Sequence, residues 1–454
     1  MEDRTQMMGG QQPTVLGGTP TQMGASRTQM GFDPARTQMG VPSTSALQVE
    51  CLAGNRYTYW QGSPRNHALV TLRSSGQQLG RRTPLNLCLA IDRSGSMEGE
   101  PLEYVKRACE YVVDMLEPND ILSIVTFEEN VDVLMSARKV VNKPLVKEHL
   151  RRLYVGNTTN LYDGMMSSCL QLTTVMNQAQ GYIHRVLLLT DGEPTSGLRD
   201  YNSIVQQVAE QKKRGITITA LGFGTEYNEE LMAGIARRSG GNYYHIQRPD
   251  LIPEVFRREM ESLMTLVARN VRVRFTLPRW VNLRQVYGMQ PNIMGNIIDV
   301  SLSDIERGTA RSVLVELEFD KHPQGVFRVA KVEVAYDDLL NNRPQATTAD
   351  CVFEFTKDRN LIQANYNPMV QAELEAAHAS LNLQRTMMGI KTQQLTSMGA
   401  INELEKTRTM LVQSGRTLQA NELTQAMQAI QQGGGDVEKT LIGTIYTLDQ
   451  GKRE

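Results

Sequence analysis

The chain has 454 residues, 40% of them hydrophobic, with 48 basic and 49 acidic side chains and a formal net charge of -1. That length exceeds one ordinary core and points to two or three domains, and the balanced charge leaves no electrostatic footprint for nucleic acid or an anionic membrane. The opening MEDRTQMMGGQQPTV is not a charged-then-apolar leader, and no apolar run approaches the roughly 20 residues that cross a bilayer, so the reading is a cytoplasmic protein without membrane insertion.

Residues 1–45 are rich in Gly, Thr, Gln, Pro and Met and lack a periodic apolar face, which predicts disorder. They are also repetitive: RTQM occurs at 4–7, 27–30 and 36–39, and TQMG at 21–24, with related KTLIG at 439–443. From 46 to 82 the chain alternates as strands do, with Leu47, Val49 and Cys51 on one side and Gln48 and Glu50 on the other. Residues 83–267 alternate strand and helix. LNLCLAI, ILSIVTF, VLLL and ITITAL are continuous apolar runs, as in strands covered on both faces, and 101–116 carries a helical apolar stripe. This predicts an α/β fold with a doubly wound, mostly parallel sheet.

Alternation returns in 268–357, where RNVRVRFTL places Val271, Val273 and Phe275 opposite Arg272 and Arg274. Neither flank closes a sheet alone, so one antiparallel β-sandwich assembled from both is expected, with the α/β region inserted between them. Amphipathic patterns over 366–432 predict a helical region, with Val370, Leu374, Ala377 and Leu381 on one face. Residues 433–454, after QQGGGD, read as a flexible tail. The five cysteines (51, 88, 109, 169, 351) are widely spaced without a CxxC pair and read as small core residues of a reducing compartment.

The chemistry concentrates at strand ends. Asp92, Ser94 and Ser96 follow LNLCLAI, Asp191 ends the strand in LLLTDGEPTSG, and Thr158 and Thr159 lie in GNTTNLYDG just before a helix. In doubly wound sheets ligands bind outside the carboxyl ends of the strands. These three ends offer hydroxyl and carboxylate oxygens without sulfur or imidazole, a set that selects a hard octahedral cation, Mg2+ or Mn2+.

DRSGSM, TTNLYDG and LLLTDGEP, in that order and spacing, resemble the von Willebrand factor A domain with its metal-ion-dependent adhesion site, over about 83–267. The resemblance implies that Ser94, Ser96 and Thr159 coordinate the ion directly while Asp92 and Asp191 act mainly through waters. Thr159 is preferred to Thr158 because the family's Gly-Gly-Thr-Asn run aligns with Gly156, Asn157 and the following threonines, Asn157-Thr158 replacing the glycine pair. The flanks resemble bacterial members whose A domain is inserted into a sandwich. A partner protein offering Asp or Glu to the metal is implied.

Catalysis finds little support in these residues. DRSGSM lacks the G-x-S-x-G elbow, the six histidines show no HExxH spacing, and GFGTEYNEE reads as a tight turn into a helix. The expectation is therefore a non-enzymatic binding module. An alternative is an accessory subunit of an ATPase-driven metal-insertion or chaperone-like machine. The repeats centred on Thr5, Thr21, Thr28 and Thr37, together with Thr440, resemble threonine sites of bacterial Ser/Thr kinase systems read by forkhead-associated domains. Phosphothreonine adds about two negative charges and three acceptor oxygens for an arginine-lined pocket.

Overall fold

The computed structural model describes residues 45–62, 64–74, 82–432 and 437–453. The tail threonines Thr5, Thr21, Thr28 and Thr37 lie outside the described residues. In chain order, β1 (Leu47–Ala53), β2 (Tyr57–Tyr59) and β3 (Arg65–Ser74) come first. Then follow β4 (Leu85–Asp92), α1 (Glu100–Met115), β5 (Ile121–Phe127), β6 (Val131–Lys139), α2 (Lys143–Arg151) and α3 (Leu161–Val175). Next are β7 (Ile183–Gly192), α4 (Tyr201–Lys213), β8 (Ile216–Glu226), α5 (Glu229–Ser239), β9 (Tyr243–Ile246) and α6 (Ile252–Met264). A second run of strands comprises β10 (Leu266–Thr276), β11 (Val281–Val286), β12 (Asn292–Met294), β13 (Ile297–Ser301), β14 (Ile305–Glu306), β15 (Ala310–Phe319), β16 (Gly325–Asp338) and β17 (Arg343–Thr356). The remainder is α7 (Arg359–Ala364), α8 (Pro368–Lys391), α9 (Ser397–Gln413), α10 (Thr417–Gln431), α11 (Val437–Asp449) and β18 (Lys452–Arg453).

Every residue of β4, β5 and β7 is buried, because helices cover both faces of the central sheet. Its strand order is β6-β5-β4-β7-β8-β9, and only β6 runs antiparallel to its neighbour. The parallel strands therefore end on one edge, where the connections to the helices gather. On one face α1 packs Leu102, Val105, Cys109 and Val112 onto the sheet, after Pro101 in the first turn. Asn160 and Asn228 cap α3 and α5 by accepting the backbone N–H three residues on. The edge strand β6 and the short β9 went unread in the sequence, since β6 leaves Asp132 and Val133 exposed and hides little.

The outer strands form two sheets, β1-β3-β15-β11 and β12-β13-β10-β16-β17-β2, with β18 against β15 and β14 against β10. Strand β3 pairs antiparallel with β15 from Arg65↔Glu318 to Arg73↔Ala310, while β2 lies parallel to β17. Val70, Leu72, Val313 and Leu317 from one sheet share a core with Val273, Phe275, Val334 and Phe353 from the other. A buried ion pair, Arg185 to Asp304 at 2.8 Å, joins β7 of the central sheet to the segment before β14.

Helix α8 sets Val370 against Leu69 and Leu314, with Leu374, Ala377 and Leu381 packed beside them. Leu383, Leu404, Leu411, Leu423 and Leu441 unite α8 to α11. Here the structure corrects the sequence reading. Residues 437–449 are a helix buried between neighbours rather than a flexible tail, and Thr440 within it is only 9% exposed. Thr440 is thus not an accessible kinase site in this fold, because its helix is held on several sides. All five cysteines are free thiols in buried positions.

Candidate metal centre

Asp92 closes β4, and Asp191 stands one residue before the end of β7, its parallel neighbour. The pairing places Thr190 beside Asp92, and the Thr190 hydroxyl donates to Asp92 Oδ2 at 2.5 Å. The chain then turns sharply, so that the Ser94 backbone N–H donates to Asp92 Oδ1 at 2.8 Å. Ser94 Oγ lies 3.2 Å from Ser96 Oγ, which donates to Asp191 Oδ1 at 2.6 Å. Thr159 arrives from the loop before α3. A Cβ on Gly192 would sit 3.5 Å from both Ser96 Oγ and Thr159 Oγ1, which places these two hydroxyls around one point. The five residues Asp92, Ser94, Ser96, Thr159 and Asp191 therefore converge.

Thr158 behaves differently. Its hydroxyl is buried without a hydrogen-bond partner among the described residues, while the backbone of Thr159 is gripped on both sides. The Thr159 N–H donates to Thr195 Oγ1 at 2.9 Å, and its carbonyl accepts from the N–H groups of Thr195 and Ser196 at 3.0 and 3.2 Å.

Further residues, not singled out in the sequence, hold the loops together. Arg93 is buried, with its guanidinium 2.7 Å from Asp132, 3.5 Å from Glu128 and 5.0 Å from the Tyr154 ring centroid. Its carbonyl accepts from Gly156 N–H at 2.6 Å, and Gly95 N–H donates to the Asn157 carbonyl at 3.2 Å. The Glu128 carbonyl accepts from Asn160 N–H at 2.8 Å, and its carboxylate takes Asn157 N–H at 3.4 Å. Gly156 is required there, since a Cβ would lie 2.7 Å from Glu128 Cγ. The sequence held one signal for this set: two charged residues, Arg93 and Glu128, directly at the ends of buried strands.

The electrostatics suit a cation. Burial pushes the Asp92 carboxyl up to about 7, and the charge of Asp191 adds to the rise, against the hydrogen bonds from Thr190 and Ser94. A positive ion among these oxygens reverses that cost. Two carboxylates and three hydroxyls are hard donors of the kind that hold Mg2+ or Mn2+. Asp92, Ser94, Thr159 and Asp191 are all less than a tenth exposed, whereas Ser96 is exposed, so the site opens on one side only.

The family model for the von Willebrand factor type A domain matches residues 86–258, the segment that carries this site. Residues 86–258 are a von Willebrand factor type A domain. Domains of this family bind a divalent metal at such a site and mediate protein–protein interaction.

The chain is 26% identical to protein sll0103 of Synechocystis over 69% of this chain and 74% of that one. It is 29% identical to YfbK of Escherichia coli over 51% of this chain and 41% of that protein. Inter-alpha-trypsin inhibitor heavy chain H1 of Sus scrofa is 23% identical over 49% of this chain, which spans only 26% of the heavy chain. Among solved structures, a von Willebrand factor type A protein from Catenulispora acidiphila superposes with a TM-score of 0.69 at 18% identity, covering 85% of this chain and 91% of that one. The ArnB paralog VWA2 from Sulfolobus acidocaldarius gives 0.59 at 16% identity, covering 89% and 98%. Both likenesses extend well beyond the A domain and concern the fold. Among the described residues no helix is long and apolar enough to cross a membrane.

Proposed function

We propose that this protein is a metal-dependent protein-binding module rather than an enzyme. In this reading Asp92, Ser94, Ser96, Thr159 and Asp191 hold one divalent ion, Mg2+ before softer metals because every donor is oxygen. The observation that carries it is the one-sided site: four donors buried and hydrogen-bonded into place, with Ser96 exposed at the opening. Bound there, the ion supplies a positive centre for an anionic oxygen from outside. Three neutral hydroxyls leave much of its charge uncompensated, so an Asp or Glu carboxylate of a partner protein is the fitting ligand.

The Thr-Gln-Met repeats support a finer version, in which Thr5, Thr21, Thr28 and Thr37 are phosphorylated by a Ser/Thr kinase and read by a forkhead-associated domain. Its support is the repeated side-chain context alone.

The experiment is titration calorimetry of Mg2+, Mn2+ and Zn2+ into the full chain and into Asp191→Ala, with circular dichroism as the check on folding. One site in the wild type, lost in the folded variant, supports the reading. Equal Mg2+ binding by the two proteins defeats it.

A further inference from the structure

The loops that hold the five donors are charged very unevenly. Within four positions of a donor stand four further exposed carboxylates, Glu98, Glu100, Asp163 and Glu193. The one base in that range is Arg93, which is 5% exposed and turned into Asp132 and Glu128. The next bases out, Arg185, Arg152 and Arg199, stand farther off; Arg185 pairs with Asp304, Arg152 with Glu148, and Arg199 is followed directly by Asp200. The whole chain is nearly neutral, with 48 basic and 49 acidic residues, so this bias belongs to the one edge and not to the composition.

Part of the bias has a local cause. Glu100 and Asp163 occupy the first turns of α1 and α3, where the helix dipole favours an acid. Glu98 and Glu193 are in no α-helix. Glu98 follows the short turn of Ser96, and Glu193 follows Gly192, two residues after Asp191. Glu193 is oriented by the Nδ2 group of Asn228, 3.3 Å from one of its oxygens. Both therefore add exposed negative charge to the loops that carry Ser96 and Asp191, beyond what the helix dipoles explain.

An acidic rim around a cation that seeks a carboxylate sets up a selection. A wholly acidic segment meets the attraction of the ion at one atom and repulsion at every flanking residue. A basic segment with a single carboxylate meets attraction at both. We infer that the partner presents one Asp or Glu flanked by Lys and Arg, the carboxylate reaching the ion and the basic neighbours lying against Glu98 and Glu193. This inference rests on the metal-dependent reading above and narrows its ligand. Rim charges act mainly on encounter rate and on salt dependence, so the preference weakens as ions screen it.

The test uses the full chain loaded with Mg2+ and three short synthetic peptides, measured by fluorescence anisotropy. The first has one Asp between lysines, the second one Asp between glutamates, and the third one Asn between lysines. We expect the first to bind at least roughly tenfold tighter than the second at low salt, with the gap closing at about 0.5 M salt. The Glu98→Gln, Glu193→Gln double variant, compared at saturating Mg2+, shrinks the gap severalfold. Equal binding of the first two peptides, or a gap untouched in the variant, overturns the inference and leaves carboxylate capture standing. Binding of the Asn peptide as tight as the first overturns carboxylate capture itself. No binding by any peptide overturns both.

Discussion

The hydroxyl of Ser96 donates to Oδ1 of Asp191 at 2.6 Å, joining two strand ends that lie 95 positions apart in the chain. This bond aligns an exposed donor with a buried one on the open side of the proposed metal centre. Ser96→Ala should weaken Mg2+ binding roughly tenfold or more, as losses around metal sites do. Because Ser96 is exposed, the melting temperature without metal should stay where it is. Paired calorimetry and thermal melts check both halves, and an unchanged affinity would remove Ser96 from the site.

Gly156→Ala acts at one remove. The added methyl would fall 2.7 Å from Glu128 Cγ, and Glu128 holds both Asn157 and Asn160 beside Thr159. We expect a loss of about 1–3 kcal/mol in stability from overpacking, and weaker metal binding with it. Denaturant melts read the first and calorimetry the second. A variant that lost stability and kept its full Mg2+ affinity would show that this loop does not position Thr159.

His184 gives a pH dependence independent of the metal. It is buried in β7, its Nδ1 lies 3.0 Å from Asn86 Nδ2, and burial, with a smaller push from Arg269, lowers its imidazolium from 6.5 to about 4. In the window between these values the unfolded chain takes up the proton and the folded one does not. Stability is therefore intact above pH 6.5 and falls as the pH drops toward about 4, by at most about 3 kcal/mol. Carboxylates titrate in the same range, so the measurement is the difference between wild type and His184→Gln in urea melts. A constant difference from pH 7 to 4 would refute the assignment.

Tyr446→Ala tests the helix that the sequence reading took for a tail. The Tyr446 ring is buried against Tyr243, and its hydroxyl donates to the Gly241 carbonyl at 2.5 Å. Removing it should cost about 3 kcal/mol or more. Hydrogen exchange should then quicken in α11 and β9 before the outer sheets. Unchanged protection in α11 would mean that the helix is held without this contact.

What the sequence disclosed follows the physics of each element. Strands β4 and β7 were legible because both faces are covered, so that residues 87–91 and 186–189 are unbroken apolar runs with an aspartate close behind. Strand β10 was legible because one face meets water, so that Arg272 and Arg274 alternate with Val271, Val273 and Phe275. Helix α11 was not. It is buried nearly all round, and Lys439, Thr440, Thr444 and Asp449 sit inside, answered by other elements, so no polar stripe marks its outer face. The same division holds at the metal centre. Donors within DxSxS and TDG share a local spacing and could be picked out. Thr190, Thr195, Arg93 and Glu128 gain their roles only when β4, β5 and β7 lie side by side, and no spacing in the chain announces that.

Residues 437–453 touch the A domain, the helical core and one of the two outer sheets. Arg237 of the A domain meets Asp449, Leu441 enters the helical core, and β18 pairs with β15 of the outer sheet. They also leave the ribosome after everything they bind. While the chain is being made, Gly241 and the buried side of α5 therefore wait uncovered, and the final arrangement sets only after the last of these residues emerges. A stop codon between residues 432 and 437 would yield a protein with all five proposed metal donors present and its fastening missing. Such a product should be conspicuous to the cell's proteases even though every donor to the ion is in place.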